Sequence, residues 1–233
     1  MDRTLDILVF AAHPDDAEIG MGGAILKHVR RGWRVGICDL TEAEMSSNGT
    51  VEIRREEAAK ASEALGIRYR SNLRLPDRGL NLVPEQINAL VREIRRLRPR
   101  IVAAPYWKDR HPDHVMCSRL VQEAVFSAKL RHYMPDLPAW TVGDVFYYFI
   151  NDLDEPDVLV DISAEHEGKM RALKCYRSQF EPDGPDRVDT PLTMGYLERV
   201  EARDRLLGQR RLVAYAEGFV SQGPLLVDLL GRD

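Results

Sequence analysis

Two short clusters carry the residue types that metal chemistry needs: His13-Pro14-Asp15-Asp16 near the N-terminus and His111-Pro112-Asp113-His114 near the middle. Imidazole nitrogen and carboxylate oxygen are ordinary zinc donors, and a catalytic zinc keeps one position open for water. His13 and Asp16 stand three residues apart at what reads as a strand-to-helix turn, so their side chains converge on one point. His111 and His114 repeat that spacing, and one of the two supplies a third ligand. Two histidines and one aspartate form the open set of a hydrolytic site rather than a closed structural one. The competing explanation is helix capping, since Asp caps well and Pro suits the first helical turn. That explanation serves for either cluster alone. It fails for the pair, because both fall at the ends of strands of what reads as one sheet.

Such convergence needs a scaffold, and the apolar pattern predicts one. Residues 7–11 form a buried strand, followed by a helix over 19–31 and a strand over 34–39. A helix over 51–65 closes at Gly66; another opens at Pro84 and ends near Arg98-Pro99. A strand over 101–104 and a helix over 113–128 complete the regular part. This alternation predicts an α/β fold: a doubly wound, Rossmann-like, mainly parallel sheet with helices on both faces. Ligands of such sheets bind beyond the carboxyl ends of the strands, where both clusters lie. The last third suggests strands over 145–150 and 158–162, helices over 165–176 and 196–209, and a loop at Glu181-Pro182-Asp183-Gly184-Pro185-Asp186. Nothing divides the chain, so residues 1–233 are expected to form a single domain.

Composition narrows the function classes. A net charge of −4 leaves no electrostatic footprint for nucleic acid. The basic run from Arg92 to Arg100 has helical spacing and reads as a solvated helix face. Cys38, Cys117 and Cys175 suit free thiols in a reducing compartment. With no cleavable leader pattern and no apolar run of bilayer length, the expected location is cytoplasmic, without membrane contact. Gly20-Met21-Gly22-Gly23 does not make the dinucleotide spacing, and acidic residues at that strand end would repel a pyrophosphate. Close helix–sheet packing accounts for these glycines. His28, His132 and His166 belong to no such paired motif and read as surface or helix residues.

With these motifs in view, the chain resembles the LmbE-like superfamily, which includes the GlcNAc-phosphatidylinositol de-N-acetylases. Cys38-Asp39-Leu40-Thr41-Glu42-Ala43-Glu44, Ser46-Ser47-Asn48-Gly49-Thr50, Leu75-Pro76-Asp77-Arg78-Gly79-Leu80 and Tyr215-Ala216-Glu217-Gly218-Phe219 are similar to the branch that deacetylates N-acetylglucosaminyl-malate in bacillithiol biosynthesis. The resemblance implies one zinc per chain on His13, Asp16 and His114, with Asp15 as the general base toward the attacking water. It implies that His111 is a charge-relay histidine rather than a ligand, and that Tyr196 helps to hold the oxyanion. Spacing alone leaves His111 and His114 equivalent. A His₂Asp set also suits Fe(II), Mn(II) or Co(II). The expected partner is a small acetylated amino-sugar conjugate. If it carries malate, Arg54 and Arg110 are candidates for its carboxylates and Asp77 for sugar hydroxyls. Alternatives are a mycothiol-type conjugate amidase, a deacetylase of other acetylated amino sugars such as chitobiose, and a non-catalytic sugar-binding protein. Relatives suggest a homo-oligomer, a hexamer.

Overall fold

The computed structural model describes residues 4–226. In chain order the elements are β1 (Ile7–Ala11), α1 (Asp16–Arg30), β2 (Val35–Asp39), α2 (Val51–Leu65), β3 (Tyr69–Asn72), α3 (Pro84–Leu97) and β4 (Ile101–Pro105). There follow α4 (Pro112–Ala128), β5 (Asp144–Tyr148), β6 (Val158–Asp161), α5 (His166–Leu173), α6 (Arg177–Phe180), α7 (Tyr196–Gln209) and β7 (Ala216–Ser221). They build one seven-stranded sheet of order β3-β2-β1-β4-β5-β7-β6. Strands β1 to β5 are parallel neighbours, and β7 runs antiparallel between β5 and β6. The expected mainly parallel, doubly wound sheet is therefore present.

Successive side chains of β1 alternate between the two faces of the sheet, as the pleat requires, and all are buried. Ile7, Val9 and Ala11 join the core on the face covered by α1, α2 and α5, whereas Leu8, Phe10 and Ala12 join the core under α3 and α4. Because both faces are covered, the strand reads as an unbroken apolar run. Chain order leaves β1 toward β2 and β3 on one side, then resumes at β4 on the other. That reversal opens a crevice at the carboxyl ends of β1 and β4.

Two strands were not foreseen. β3 is short, half buried and polar (Tyr-Arg-Ser-Asn), so it lacks an apolar signature. β7 is interrupted by Glu217 and Gly218, yet its first five residues are buried. Glu217 lies inside because it accepts hydrogen bonds from the Gly23 and Ala24 amides at 2.9 and 2.7 Å and meets Lys169 Nζ at 2.8 Å. Lys169, fully buried, also pairs with Asp204 at 2.6 Å. α1 is broken at Met21 (φ −147°, ψ 23°), and Glu217 takes up amides just beyond that break.

Two expectations about charged surface are corrected. Arg95 is only 2% exposed, not part of a solvated face. Its guanidinium donates to the carbonyls of Ala128, Met134, Leu137, Ser127 and Leu130. It thereby satisfies the carbonyl-rich end of α4, where a cation is favourable. His166 does open a helix, but it is buried and stacked on Tyr215 at 3.6 Å between ring centroids. Cys38, Cys117 and Cys175 are free thiols, as expected. No helix among the described residues is long and apolar enough to cross a membrane.

The glycines of α1 serve packing. A Cβ on Gly20 would lie 2.1 Å from Tyr148 Cδ2, and one on Gly23 within 2.8 Å of three Ile162 atoms. Tyr148 cannot retreat, because its buried hydroxyl donates to the Phe10 carbonyl at 2.7 Å. Gly20→Ala is expected to cost about 1–3 kcal/mol through overpacking. Urea denaturation with an unchanged m-value would read this loss, and an unchanged midpoint would refute the account.

Candidate active site

The turn after β1 is bent at Asp15, whose φ of 125° is rare for any residue but glycine. Asp15 occupies the N-cap position of α1, yet its side chain makes no capping hydrogen bond. It is 3% exposed and turns instead to Arg54, 3.1 Å away. Asp16, the next residue, folds back so that Oδ2 accepts from the His13 amide at 2.8 Å. Strain at Asp15 is thus what sends two adjacent carboxylates to different partners.

Asp16 lies between imidazoles from both clusters. His114 Nε2 is 3.1 Å from its Oδ1 and His13 Nδ1 is 3.5 Å from its Oδ2. The other nitrogen of each ring is also fixed. His114 Nδ1 meets Asp109 at 3.0 Å; His13 Nε2 meets Asp77 at 3.1 Å and Asp113 at 3.6 Å. His111 behaves differently. It caps α4, its Nδ1 accepting from the Asp113 amide at 3.2 Å. The capping explanation therefore holds for His111, and not for Asp15. One ring nitrogen from each of His13, His111 and His114 lies within 4.8 Å of the others, and His13, Asp77 and Asp113 form a second such group. The first and fourth strands thus do deliver His13 and His114 to a common point.

Charge follows this geometry. Burial pushes the Asp15 carboxyl up to about 7, against the pull of the Arg54 guanidinium. Burial opposes ionisation of Asp16 as well, but His114 and His13 hold it well below the usual carboxylate range. His114 is raised to about 9 despite burial, chiefly by Asp16 and Asp109, and His13 is raised by Asp113, Asp16 and Asp77. His111 moves the other way: burial, then the charges of His114 and His13, lower it. Among the described residues no carboxylate forms an ion pair with it.

A cavity of about 630 Å³ opens over these groups, and Tyr196, Arg110 and Asn151 lie on its wall. Tyr196 donates from its hydroxyl to Asn151 Oδ1 at 3.1 Å. Arg110 is exposed and reaches the same oxygen at 3.1 Å. Arg54 is not a helix-surface residue, and its Nη1, at the cavity, is buried without a hydrogen-bond partner. It is 5% exposed, donating from Nε to the Pro14 carbonyl at 2.8 Å and from Nη2 to Asp15. Asp77 is likewise engaged, accepting from the Met45 amide at 3.0 Å and facing His13. Arg78, unassigned from sequence, holds Asp113 through both its amide and its guanidinium. Asn151 was also missed; its signal was an amide just past the end of β5, at the same carboxyl edge as both clusters.

The fit to a divalent cation follows from the donor set. Asp15, Asp16, Asp77, Asp109 and Asp113 crowd around three imidazoles in a buried space, the ligand types that first-row metals bind.

Comparison with known proteins gives the same picture. A family model described as PIG-L, GlcNAc-PI de-N-acetylase, matches residues 8–125. The crystal structure of the conserved protein TT1542 from Thermus thermophilus is 43% identical, with a TM-score of 0.90, covering 99% of this chain and 100% of that one. Diacetylchitobiose deacetylase of Thermococcus kodakarensis is 32% identical over 76% of this chain and 71% of its own. The 4-oxalmesaconate hydratase of Pseudomonas putida is 26% identical over 96% and 91%. A probable N-acetyl-alpha-D-glucosaminyl L-malate deacetylase 2 of Bacillus subtilis is 28% identical over 75% and 83%. This chain belongs to the PIG-L family, that of the GlcNAc-PI de-N-acetylases.

Proposed function

We propose that the protein is a metal-dependent N-deacetylase of an N-acetylglucosamine conjugate, with N-acetylglucosaminyl-malate as the leading substrate. The observation that carries this reading is the division of labour between adjacent carboxylates: Asp16 faces His13 and His114, whereas Asp15 faces Arg54. A storage or structural site has no use for the second carboxylate.

His13, Asp16 and His114 would hold the ion, zinc by donor type, and it supplies Lewis acidity toward the amide carbonyl and an acidified water. The hydrogen bonds support this choice of ligands. A carboxylate accepts only, so Nε2 of His13 and Nδ1 of His114 carry the protons given to Asp77 and Asp109. That leaves Nδ1 and Nε2 as the donor atoms turned toward Asp16. His111 is the reverse. Its Nδ1 is already an acceptor, so neutral His111 carries its proton on Nε2 and is a hydrogen-bond donor rather than a ligand.

Asp15 takes a proton from the attacking water as the new C–O bond forms. Arg54 and the strained turn keep this carboxylate aimed at the cavity. His111 Nε2–H is the donor available to the oxygen that gains charge, and the Tyr196 hydroxyl becomes a second when it turns from Asn151 Oδ1. The C–N bond then breaks, Asp15 returns its proton to the leaving amine, and acetate remains. Arg110 at the rim presents an exposed guanidinium suited to a carboxylate of the aglycone. Malate is the aglycone named for one relative, and chitobiose the sugar named for another.

Acetate release from N-acetylglucosaminyl-malate, N-acetylglucosaminyl-inositol, diacetylchitobiose and N-acetylglucosamine tests the reading. Activity should vanish with a chelator, return with zinc and be greatest on the malate conjugate. Because one relative is a hydratase, a preparation that hydrates an unsaturated dicarboxylate and releases no acetate would replace this reading. Asp15→Asn should keep its metal while kcat falls by about 10²–10⁴-fold; near-normal turnover of metal-loaded variant would remove Asp15 as the base. Arg110→Ala should raise KM for the malate conjugate by about 10- to 100-fold, the worth of one charged hydrogen bond. Plain N-acetylglucosamine should be barely affected, and equal effects on both would sever Arg110 from the aglycone.

A further inference from the structure

Asn151 has neither a charge nor a place in the two histidine clusters, yet four hydrogen bonds tie it to Asp109, Tyr196 and Arg110. Its backbone amide donates to Asp109 Oδ2 at 3.0 Å and its Nδ2 donates to Asp109 Oδ1 at 2.9 Å. Nδ2 also lies 3.5 Å from His114 Nδ1, a contact between two donors that both point to Asp109. On the other side, Oδ1 accepts from the Tyr196 hydroxyl and from Arg110 Nη2, each at 3.1 Å. Only one orientation of the side-chain amide satisfies these neighbours. Flipping it would aim its carbonyl at the Asp109 carboxylate and its NH₂ at an arginine that cannot accept.

Asp109 is itself committed. Its Oδ1 lies 3.0 Å from His114 Nδ1 and accepts from the His111 amide at 2.7 Å. The carboxylate therefore sets which way the His114 ring faces, and Asn151 holds the carboxylate by both oxygens. Tyr196 arrives from a different part of the chain, as the first residue of α7 after Gly195 with φ 69°. Arg110 comes from the loop before α4.

We propose that Asn151 is a positioning residue that couples the metal-facing ring of His114, through Asp109, to the substrate-facing groups Tyr196 and Arg110. This rests on the reading of His114 as a ligand. Partners of this kind hold a ligand in its tautomer and plane, and their removal commonly costs about 10- to 100-fold in metal affinity.

The test measures zinc affinity of the full chain by competition with a chromophoric chelator, without any sugar. Asn151→Ala should bind zinc at least about 10-fold more weakly, whereas Tyr196→Phe should bind it as the parent does. Where Asn151→Ala lacks the parent's circular dichroism, Asn151→Ser replaces it with the same readout. In acetate release, Tyr196→Phe should cost at least threefold less kcat/KM on the Asn151→Ala background than alone, as coupled residues require. Zinc affinity of a folded Asn151 variant within twofold of the parent would overturn the proposal, as would effects of the two substitutions that simply multiply. If the parent released no acetate from any sugar, the deacetylase reading would fall, while the zinc comparison would still decide Asn151.

Discussion

Asp16 is the constraint on which the site depends, because its carboxylate meets imidazoles from two distant parts of the chain. No local preference brings His114 to His13. The sheet does it: β1 and β4 are adjacent and parallel, with Val9 beside Ala103, so their chains leave the sheet together. Neighbouring strands lie only about 4.8 Å apart, a spacing that two facing side chains close from opposite turns. A shift in that register would move every donor of the second cluster relative to the first.

Crowding acidic groups in a buried turn is costly, and three devices offset it. Arg54 and Arg78 neutralise Asp15 and Asp113 directly. His13 and His114 keep protons that burial alone would remove. The main chain donates as well, through the amides of His13, Met45, Arg78 and Asn151. A bound cation displaces the imidazole protons and substitutes its own charge, so the cluster is arranged for a positive occupant. The strained φ of Asp15 belongs to the same arrangement. A relaxed turn would let that side chain cap α1, as an aspartate there ordinarily does, and a cap accepts from the backbone instead of from water.

Legibility followed the range of the interactions. α2 and α7 were bounded correctly because caps and apolar spacing are local, as with Thr50 and Gly66 at the two ends of α2. The two histidine clusters were visible because one turn of chain carries each. Arg95 was misread because its partners are carbonyls at the far end of another helix, which no local pattern announces. β7 was missed for a related reason: a glutamate inside a strand argues against burial until the opposing Lys169 is known. His111 and His114 could not be separated by spacing. They differ only in what the second ring nitrogen touches, the Asp113 amide for His111 and Asp109 for His114. The contact of Arg54 with Asp15 was not foreseen, since the turn that brings Asp15 to it is set by an unusual dihedral.

α1 shows how the fold stiffens this turn from behind. The helix that begins at Asp16 is too glycine-rich and too broken to be rigid by itself, yet it abuts both β5 and the far edge of the sheet. Tyr148 occupies the space left by Gly20, and Ile162 that left by Gly23. Glu217 takes up amides that the break at Met21 exposes, with Lys169 against its carboxylate and Asp204 shared with Arg203. Arg203 in turn donates to the Ile19 carbonyl on α1 and to the Phe149 and Ile150 carbonyls leading to Asn151. The turn carrying Asp15 and the segment carrying Asn151 are thus braced by one guanidinium. The two histidine clusters are held by these buried strand ends, whereas Arg110 and Tyr196 reach the cavity wall from the loop before α4 and from the start of α7.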